Sequence, residues 1–360
     1  MFLSKHHYAI ELAKYGNEVY YLNPTNTALK NGFIEITQSN VHPNLRIINH
    51  SLPFTKKIKF KWQWLYYQLV KYHIKNIKKH IGKEIDIVWS FDLGNYFPFT
   101  NFPSSFKIFC PVDMPRNEVA LRSAQNANVI ISIAKEILEK YKSFGIPQFF
   151  VHHGLAEDFI NTDKIQQKTD NKIRIGLSGN WLRKDIDKLV LLKIIAENPT
   201  IIFEFWGIYS RKESNIGGGS DADAKEFIEA LSIAKNVIMH GTANTKQLAT
   251  EYQRMDGFLI CYNILKDQSS GVNYHKIMEY LSTGKVVISN NIRTYQSLQN
   301  LVEMSQNRDN NDDLVEIFTK IINNIEYYNQ PDLSKKRIEF ALENAYSNKI
   351  KEIEALLDSF

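Results

Sequence analysis

The chain has 360 residues, of which 44% are hydrophobic and 23% charged, and its formal net charge is +5. This balance is typical of a folded globular protein and excludes a disordered chain, and the length predicts two domains of ordinary size. No apolar run reaches the roughly eighteen residues that cross a bilayer, and the first residues lack the apolar core of a signal peptide, so we expect neither feature. Cys110 and Cys261 have no paired spacing, which predicts buried thiols in a reducing, cytoplasmic compartment.

The first half of the chain predicts alternating helices and strands. A helix at 7–16, closed by Gly16, precedes a strand at 18–22. Further strands are predicted at 85–91, 106–112, 128–133 and 148–153, with a helix at 134–145. This alternation indicates a mostly parallel sheet with helices on both faces.

Positive charge is concentrated in one segment of this half. The sequence has no acidic residue between Glu35 and Glu84, and residues 56–83 hold nine lysines interleaved with tryptophans and tyrosines. On a helix, this composition suits the surface of an anionic membrane. A half-buried helix with a solvated lysine face explains it equally well. Nucleic acid is a weaker alternative, because no recognisable nucleic-acid module accompanies the segment.

A polar, turn-rich passage at 154–171 separates this half from a second series of elements. Strands are predicted at 173–179, 201–207, 236–241, 257–262 and 285–290. Two successive α/β units are the simplest architecture, and ligands then lie at the carboxyl ends of the strands. Residues 212–224 predict a mobile loop or insertion. From Asp312 onward the chain is mostly helical, with a break at Pro331.

The second series opens with a strand that ends at Gly179 and Asn180, followed by the basic pair Arg183 and Lys184. We expect this pair at the start of a helix, where backbone N–H groups and basic side chains form a natural site for a diphosphate. A solvated basic pair on any loop would have the same sequence, so the pair alone does not define a site.

Lys276 and Glu279 lie three residues apart on a predicted helix that follows the strand at 257–262. One explanation is a surface ion pair worth a few tenths of a kcal/mol. The other is a nucleotide site, in which the carboxylate accepts hydrogen bonds from ribose hydroxyls and the lysine neutralises a phosphate. The position at the carboxyl edge of the sheet favours the nucleotide site.

These segments together resemble the large retaining family 4 of GT-B glycosyltransferases. The most specific part is 273–290, which contains YHKIMEYLSTGKVVIS and is similar to the family pattern K-x-x-E-Y-L-x-x-G-K-x-V-V. The segments GNWLRKDIDKL and IIFEFWG resemble the start of its donor half, and the last helices resemble its closing helices, with Tyr346 in place of the usual tryptophan. The resemblance covers nearly the whole chain.

The resemblance implies the α/β class and a GT-B fold, with two Rossmann-like domains whose parallel sheets face each other across a cleft. Residues 1–155 would form the acceptor-side domain and 156–171 a linker. Residues 172–340 would bind the nucleotide-sugar donor, and the helix at 341–360 would cross back to the first domain.

The resemblance also implies a function, the transfer of a sugar from a UDP- or GDP-sugar to a cell-surface glycan or lipid-linked acceptor, with retention. Glu279 would bind the ribose, and Arg183, Lys184 and Lys276 would bind the diphosphate. Other expected donor contacts are Gly179, Asn180, Tyr262, Asn273 and His275. Such enzymes need no metal or other cofactor, because cationic side chains stabilise the leaving group.

Two positions of the expected site depart from the family pattern. Gly271 stands where the E-x7-E motif has its first glutamate, eight residues before Glu279, so the donor sugar is left open. Asp113 replaces the histidine near the acceptor and is our first catalytic candidate, although it would serve equally as a turn cap. Asp92, at the end of another strand, is the second catalytic candidate.

The N-terminus departs most, because family members begin with a central strand and a glycine-rich turn. This sequence starts at the turn, with Ser4 on the acceptor side of the cleft. Losing a central strand would leave backbone groups unpaired, so we expect a strand–turn unit of about 15 residues upstream. Adjacent histidines on a strand point to opposite faces, so we expect His152 and His153 to line the cleft instead of binding a metal.

Two other classes of function remain open. A non-catalytic nucleotide-sugar-binding or scaffold subunit of a glycan assembly complex is favoured by Gly271 and Asp113. A sugar-nucleotide epimerase would need a second carboxylate that the sequence does not place. The expected partners are the nucleotide sugar, its acceptor and an anionic membrane surface bound through 56–83, with no nucleic acid. The expected location is the cytoplasm, with peripheral binding to the inner face of the cell membrane.

Overall fold

The structure is a computed structural model that describes residues 4–160, 170–210, 222–267, 271–298 and 300–358. The chain divides into two compact units. We call Phe2–His152 with Ile350–Phe360 the N-terminal unit, and His153–Lys349 the second unit. Most of the predicted loop at 212–224 and of the linker at 156–171 lies outside the described residues.

Within the described ranges, the N-terminal unit contains seven strands, five complete helices and residues 350–357 of the last helix. The strands are β1 (Val19–Leu22), β2 (Ile34–Gln38), β3 (Leu45–His50), β4 (Ile87–Ser90), β5 (Phe106–Phe109), β6 (Val129–Ser132) and β7 (Gln148–Phe150). The helices are α1 (Ser4–Lys14), α2 (Ile58–Lys61), α3 (Gln63–Ile81), α4 (Glu118–Arg122) and α5 (Lys135–Glu139). The predicted helix at 134–145 is therefore shorter than expected, and a 3-10 turn at Lys142–Phe144 follows it.

These strands form two separate sheets. One sheet has the order β1–β3–β2, with β1 parallel and β2 antiparallel to β3. The other has the order β4–β5–β6–β7 and is parallel throughout. Helix α1 contacts both sheets, because Ala9 and Ala13 pack with Leu45 while the Tyr8 ring lies 4.9 Å from that of Trp89 on β4. The additional central strand remains a prediction.

Helix α3 is amphipathic and packs one face on the N-terminal unit. Its buried residues are Tyr66, Val70, His73, Ile74 and Ile77, spaced three or four apart as one face of a helix requires. The helix ends at Gly82, whose φ of 70° is left-handed and whose N–H donates to the Lys78 carbonyl oxygen at 3.0 Å. A glycine C-cap of this kind stops the helix without the strain a side chain would add.

The second unit is built on one continuous parallel sheet. Its strands are β8 (Arg174–Asn180), β9 (Ile202–Ile208), β10 (Val237–Gly241), β11 (Gly257–Ile260), β12 (Val286–Ser289) and β13 (Glu303–Met304). Its helices are α6 (Lys188–Glu197), α7 (Ala222–Ile233), α8 (Thr245–Tyr252), α9 (Lys276–Leu281), α10 (Leu314–Ile322), α11 (Ile325–Tyr328), α12 (Pro331–Glu343) and the first residues of α13 (Tyr346–Leu357). The order β10–β9–β8–β11–β12–β13 is that of a dinucleotide-binding Rossmann sheet.

The core of the second unit lies on both faces of this sheet. All residues of β11 and β12 are buried, and along β11 the side chains alternate, Phe258 and Ile260 toward one cluster and Leu259 toward the other. Cys110 and Cys261 are both buried and not disulfide-bonded, as predicted. In the described part of the chain, no helix is both long enough and apolar enough to cross a membrane.

Candidate functional site

The candidate site lies where the strand order of the second unit changes direction. β8 and β11 are neighbours, and the chain leaves them toward opposite sides of the sheet, which opens a crevice at their carboxyl ends. Gly179 lies near the end of β8, and a Cβ atom on it would be 3.4 Å from both Lys276 Nζ and the Tyr262 hydroxyl oxygen. The structure therefore brings three predicted donor residues together.

Lys276 is a buried cation at this edge, with 8% of its surface exposed. Its ammonium donates to the Ser178 carbonyl oxygen and, at 2.8 Å, to the Tyr262 hydroxyl, and it lies 5.0 Å from the centre of the Tyr262 ring. Burial lowers the pKa of Lys276, but the contacts with Tyr262 and Tyr280 outweigh burial and leave the pKa above its usual value. The lysine therefore stays charged, and its surroundings compensate the cost of burial.

The loop after β8 is fixed against the chain that follows β11. Asn180 Oδ1 accepts from the Leu182 N–H at 3.1 Å, and the buried Trp181 donates its indole N–H to the Trp206 carbonyl oxygen at 3.1 Å. Ile186 forms an isolated antiparallel bridge with Tyr262. Helix α6 begins only at Lys188, so the prediction that Arg183 and Lys184 start a helix is wrong: both lie on this loop.

Arg183 is held in place by two carboxylates. Its Nε donates to Asp185 Oδ1 at 2.8 Å, and its Nη2 lies 3.5 Å from Asp267 Oδ1. The guanidinium also lies 5.6 Å from the centre of the Tyr262 ring. The hydrogen bonds to Asp185 raise the pKa of Arg183 further above its usual value. Two cations, Arg183 and Lys276, thus lie close to the Tyr262 ring, whereas Lys184 is exposed on the same loop.

Asp267 is a site residue that the sequence did not indicate. It is buried, and its Oδ2 accepts from the Tyr274 hydroxyl at 2.6 Å and from the Gly271 N–H at 2.9 Å. The Tyr274 ring lies 5.0 Å from that of Tyr262. Asp267 therefore ties the start of the loop before α9 to its end and to Arg183. One feature of the sequence could have indicated this role: Asp267 follows a predicted strand and stands four residues before a glycine.

Gly271 has a backbone that explains the missing carboxylate. Its φ is +58°, in the left-handed region, and a Cβ atom there would lie 3.2 Å from Ile264 Cγ1. A glutamate at this position would be strained by both the torsion angle and the contact. The loop of this chain therefore differs in shape from one that presents a carboxylate at that point.

Glu279 lies on α9, one turn after Lys276. Its side chain is partly buried, and burial raises its pKa to about 7, an effect that the positive charge of Lys276 opposes. The two side chains do not form an ion pair, and Lys276 is buried, so the alternative of a surface ion pair is wrong. A half-neutralised carboxyl group beside a buried lysine is suited to hydrogen bonding with a polar ligand.

Three polar side chains surround the start of α9. Asn273 is buried and His275 is exposed, both in the segment that leads into the helix. His153 is buried, and its ring centre lies 6.2 Å from that of His275 in an edge-to-face arrangement. The structure therefore places His153 beside His275, one of the predicted donor residues, while the contact of His153 with an acceptor remains a prediction. No cluster of three or more His, Cys, Asp or Glu side chains that would hold a metal occurs among the described residues.

The catalytic candidates in the N-terminal unit have different surroundings. The carboxylate of Asp92 accepts from the N–H groups of Gly94 at 2.8 Å, Tyr96 at 2.6 Å and Phe97 at 3.3 Å, which is the pattern of a residue that organises a loop.

Asp113 is exposed on the loop after β5. The cap of the next helix, α4, is Asn117, whose Oδ1 accepts from the Ala120 N–H at 2.9 Å. Asp113 is therefore not the cap of α4, and its alternative role as a turn cap remains a prediction. Ser4 is the first residue of α1, and its role on the acceptor side remains a prediction.

No family model and no curated protein matches this sequence. Solved structures do match. Sucrose-phosphate synthase from Thermosynechococcus elongatus is 11% identical with a TM-score of 0.70, and the match covers 99% of this chain and 92% of that one. Anabaena HepE in complex with UDP and glucose is 12% identical with a TM-score of 0.69, over 99% and 96% of the two chains. A glycosyltransferase from Rickettsia africae is 15% identical with a TM-score of 0.63, over 97% and 93%.

These matching structures are GT-B glycosyltransferases. The chain therefore has the α/β GT-B fold, as the sequence predicted. Its assignment to family 4 remains a prediction.

Proposed function

We propose that this protein is a glycosyltransferase that moves a sugar from a nucleoside-diphosphate sugar to a glycan or lipid-linked acceptor. The observation that carries the proposal is Lys276, a buried ammonium at the carboxyl end of β8 in a Rossmann-ordered sheet. This ammonium is hydrogen-bonded to a carbonyl oxygen and a hydroxyl instead of a carboxylate, so its positive charge is suited to a ligand of opposite charge. HepE, which shares the fold, was crystallised with UDP and with glucose, and this supports a nucleotide sugar as the ligand.

In the proposed complex the two charges on α9 have separate tasks. The Glu279 carboxylate accepts hydrogen bonds from the vicinal hydroxyls of the ribose. Lys276 and Arg183 face the diphosphate, with Lys184 close to it on the same loop. When the bond between the sugar and the diphosphate breaks, its electron pair moves to the diphosphate oxygen. Fixed cations then stabilise the developing negative charge without reorganisation of solvent.

The sugar itself would be bound by the segment before α9. Gly271 offers no side chain, so we assign the contacts with sugar hydroxyls to Asn273 and His275, with Asn180 on the opposite loop. Retention of configuration and the absence of a metal requirement are expectations of the same proposal. Asp113 remains the catalytic candidate, because the carboxylate of Asp92 is already used by three backbone N–H groups.

We propose a cell-surface glycan or its lipid-linked precursor as the acceptor, with the protein acting as a peripheral protein on the cytoplasmic face of the membrane. The free cysteines Cys110 and Cys261 support a reducing compartment.

A thermal-shift screen of UDP-, GDP- and ADP-sugars with the full chain, in the presence of EDTA, tests the proposal. A ligand at about 100 times its Kd should raise Tm by roughly 5 °C. Lys276→Met should abolish that rise. Release of nucleoside diphosphate from the preferred donor then tests for turnover. Absence of any stabilising nucleotide sugar would overturn the proposal.

A second candidate is a nucleotide-sugar-binding subunit without catalysis. This candidate is favoured by Gly271, because any side chain at that position would be strained. The loop therefore has no carboxylate there to bind the sugar. This candidate predicts the same rise in Tm with the nucleotide sugar. It also predicts that no nucleoside diphosphate is released, either by hydrolysis or by transfer to any acceptor that is added.

A further inference from the structure

The N-terminal unit exposes four large aromatic side chains close together in sequence. Phe60 is 78% exposed, Trp62 64%, Trp64 73% and Tyr72 71%. Elsewhere in the described residues, exposed aliphatic side chains such as Leu189 and Ile233 occur singly, as on most protein surfaces. A group of exposed aromatic rings is different and usually marks an interaction surface.

Helix geometry places lysines on the same face of α3 as two of these rings, Trp64 and Tyr72. In α3 the residues 64, 68, 71, 72, 75 and 79 follow helical spacing along one face, and all six are exposed. They are Trp64, Gln68, Lys71, Tyr72, Lys75 and Lys79. The buried residues of α3, such as Val70 and Ile77, lie on the opposite face. We call this exposed face, together with Lys57, Phe60, Lys61 and Trp62, the lysine–aromatic face.

The lysines of this segment divide into two groups. Lys59 donates to the Gly94 carbonyl oxygen, Lys78 donates to that of Asn101 at 2.8 Å, and Lys83 pairs with Glu18 at 2.6 Å. Lys56 is half-buried, and its ammonium lies 5.6 Å from the centre of the Tyr96 ring. These four lysines are used within the N-terminal unit.

The other group is Lys57, Lys61, Lys71, Lys75 and Lys79, which are all exposed. None of these five forms an ion pair with a described residue, and the sequence has no acidic residue between Glu35 and Glu84. The lysine–aromatic face therefore carries positive charge that the protein does not compensate.

We propose that the lysine–aromatic face docks on an anionic lipid bilayer. Lysines spaced along a helix axis suit the phosphate groups of lipid headgroups, and tryptophan, tyrosine and phenylalanine rings suit the boundary between headgroups and acyl chains. Phe60, Trp62 and Trp64 enter that boundary at one end of α3, and the helix lies in the plane of the interface. The proposal does not depend on the donor site, which belongs to the second unit.

Co-sedimentation with vesicles tests the proposal. The full chain is mixed with phosphatidylcholine vesicles that either contain or lack phosphatidylglycerol, at low and at high salt. Wild type should bind the anionic vesicles, and high salt should weaken the binding because it screens the lysines. Changing Lys71, Lys75 and Lys79 together to Gln should lower the affinity by about 30-fold or more, since each lysine near the surface contributes.

A matched control keeps the same change in charge but moves it to another surface. Lys225, Lys235 and Lys246 are exposed lysines of the second unit, and changing them to Gln should leave vesicle binding as in wild type. The UDP affinity of both triple variants should equal that of wild type, which separates this proposal from the proposed function. The proposed docking surface would be contradicted if both triple variants lost vesicle binding to the same extent. It would also be contradicted if neither variant lost it.

Quenching by brominated lipid tests the contact of the rings. Of the five tryptophans, Trp181 and Trp206 are buried in the second unit and Trp89 is half-buried on β4, so quenching of tryptophan fluorescence on anionic vesicles should come mainly from the exposed Trp62 and Trp64. Changing both to Phe should keep vesicle binding and remove most of the quenching. Unchanged quenching in this variant would contradict insertion of this face.

A binding measurement with nucleic acid tests the competing class of partner. Fluorescence anisotropy with a labelled single-stranded oligonucleotide at physiological salt should give weaker binding than the anionic vesicles give. Tighter binding of the oligonucleotide, lost in the Lys71, Lys75 and Lys79 variant, would assign the face to nucleic acid and overturn the membrane proposal.

Discussion

The second unit and the N-terminal unit differ in the continuity of their sheets. In the second unit one sheet is continuous, and every residue of β11 and β12 is buried. In the N-terminal unit, β1 and β4 belong to separate sheets, and no residue of either strand is buried. The crevice between β8 and β11 therefore lies at the edge of a continuous sheet whose strands β11 and β12 are buried, and a buried environment strengthens electrostatic interactions.

The two units also differ in the charge of their buried polar groups. In the N-terminal unit, His50 Nδ1 and His73 Nε2 lie 2.9 Å apart in the interior, and burial lowers both pKa values, that of His73 to about 4. These groups are neutral at pH 7. In the second unit, Lys276 stays protonated and Asp267 accepts three hydrogen bonds or ion-pair contacts. The N-terminal unit also has a buried lysine, Lys59, but burial lowers the pKa of Lys59, whereas the pKa of Lys276 is raised. A buried lysine with a raised pKa distinguishes the unit that we expect to bind a charged ligand.

Lys276→Met is the substitution that we expect to have the largest effect on the difference between the two units. The variant removes the buried ammonium and keeps the length of the side chain, so folding should be little affected, as is common when a buried charge is replaced by a packed apolar group. Turnover of the preferred nucleotide sugar should fall by about 100-fold or more. Steady-state assays together with thermal unfolding measure both effects. Wild-type turnover in a folded variant would remove Lys276 from the site.

Asp267→Asn tests whether the buried carboxylate holds the site together. The change weakens the contacts with the Tyr274 hydroxyl and Arg183, and it should lower the free energy of unfolding by about 1–3 kcal/mol. Nucleotide affinity should fall by roughly 10-fold, since the loop and Arg183 lose their common anchor. Urea denaturation and calorimetry give the two numbers. The control is Asp312→Asn, an exposed aspartate whose loss should change stability by less than about 0.5 kcal/mol.

Glu279→Gln tests the raised pKa of about 7. In the folded protein this carboxyl group holds its proton at pH values where the unfolded chain has lost it. Its contribution to stability is therefore greatest at low pH and is lost as pH rises through 7. The variant should be more stable than wild type by about 1–2 kcal/mol at pH 8, and by less at pH 5. Equal differences at the two pH values would show that Glu279 titrates normally.

The same titration should appear in ligand binding. Wild-type affinity for the nucleotide should improve as pH rises through about 7, because the ionised carboxylate accepts two ribose hydroxyls. The variant should bind with an affinity that does not depend on pH in this range.

The smallest effect is expected in the N-terminal unit, for Asp113→Asn. Because Asp113 is exposed, stability should change by less than about 0.5 kcal/mol, and nucleotide affinity should equal that of wild type. Turnover alone should fall if Asp113 acts on the acceptor side. Asp92→Asn is the matched comparison, since its carboxylate organises a loop and its loss should destabilise by about 1–2 kcal/mol. A larger stability loss for Asp113→Asn than for Asp92→Asn would contradict the structural assignment.

The sequence predicted the second unit well because its strands are short apolar runs that alternate with amphipathic helices. Every predicted strand there has a counterpart, and the pattern around Lys276 located the carboxyl edge of the sheet. The N-terminal unit was harder to predict. The strands β2 and β3 lie in a stretch rich in asparagine, proline and histidine, where hydrophobic periodicity is weak, and their pairing is set by tertiary contacts.

The parts of the site that the sequence missed depend on distances through space. Asp267 and Arg183 are 84 residues apart, so nothing local indicated their pairing. The pairing of Arg183 with Asp185, two residues away, was visible in the sequence but not distinguishable from an ordinary exposed loop. The pKa of Glu279 depends on burial by neighbouring elements, which composition and spacing do not report.

Equilibrium binding of nucleotides to the full chain tests the central claim most directly. Calorimetric titration with UDP and GDP, and with uridine and guanosine, is performed on wild type, Lys276→Met and Glu279→Gln. We expect the preferred diphosphate to bind wild type, Lys276→Met to lose affinity for the diphosphate but not for the nucleoside, and Glu279→Gln to lose affinity for both. Diphosphate affinity that is the same in wild type and Lys276→Met would contradict a donor site in the crevice between β8 and β11.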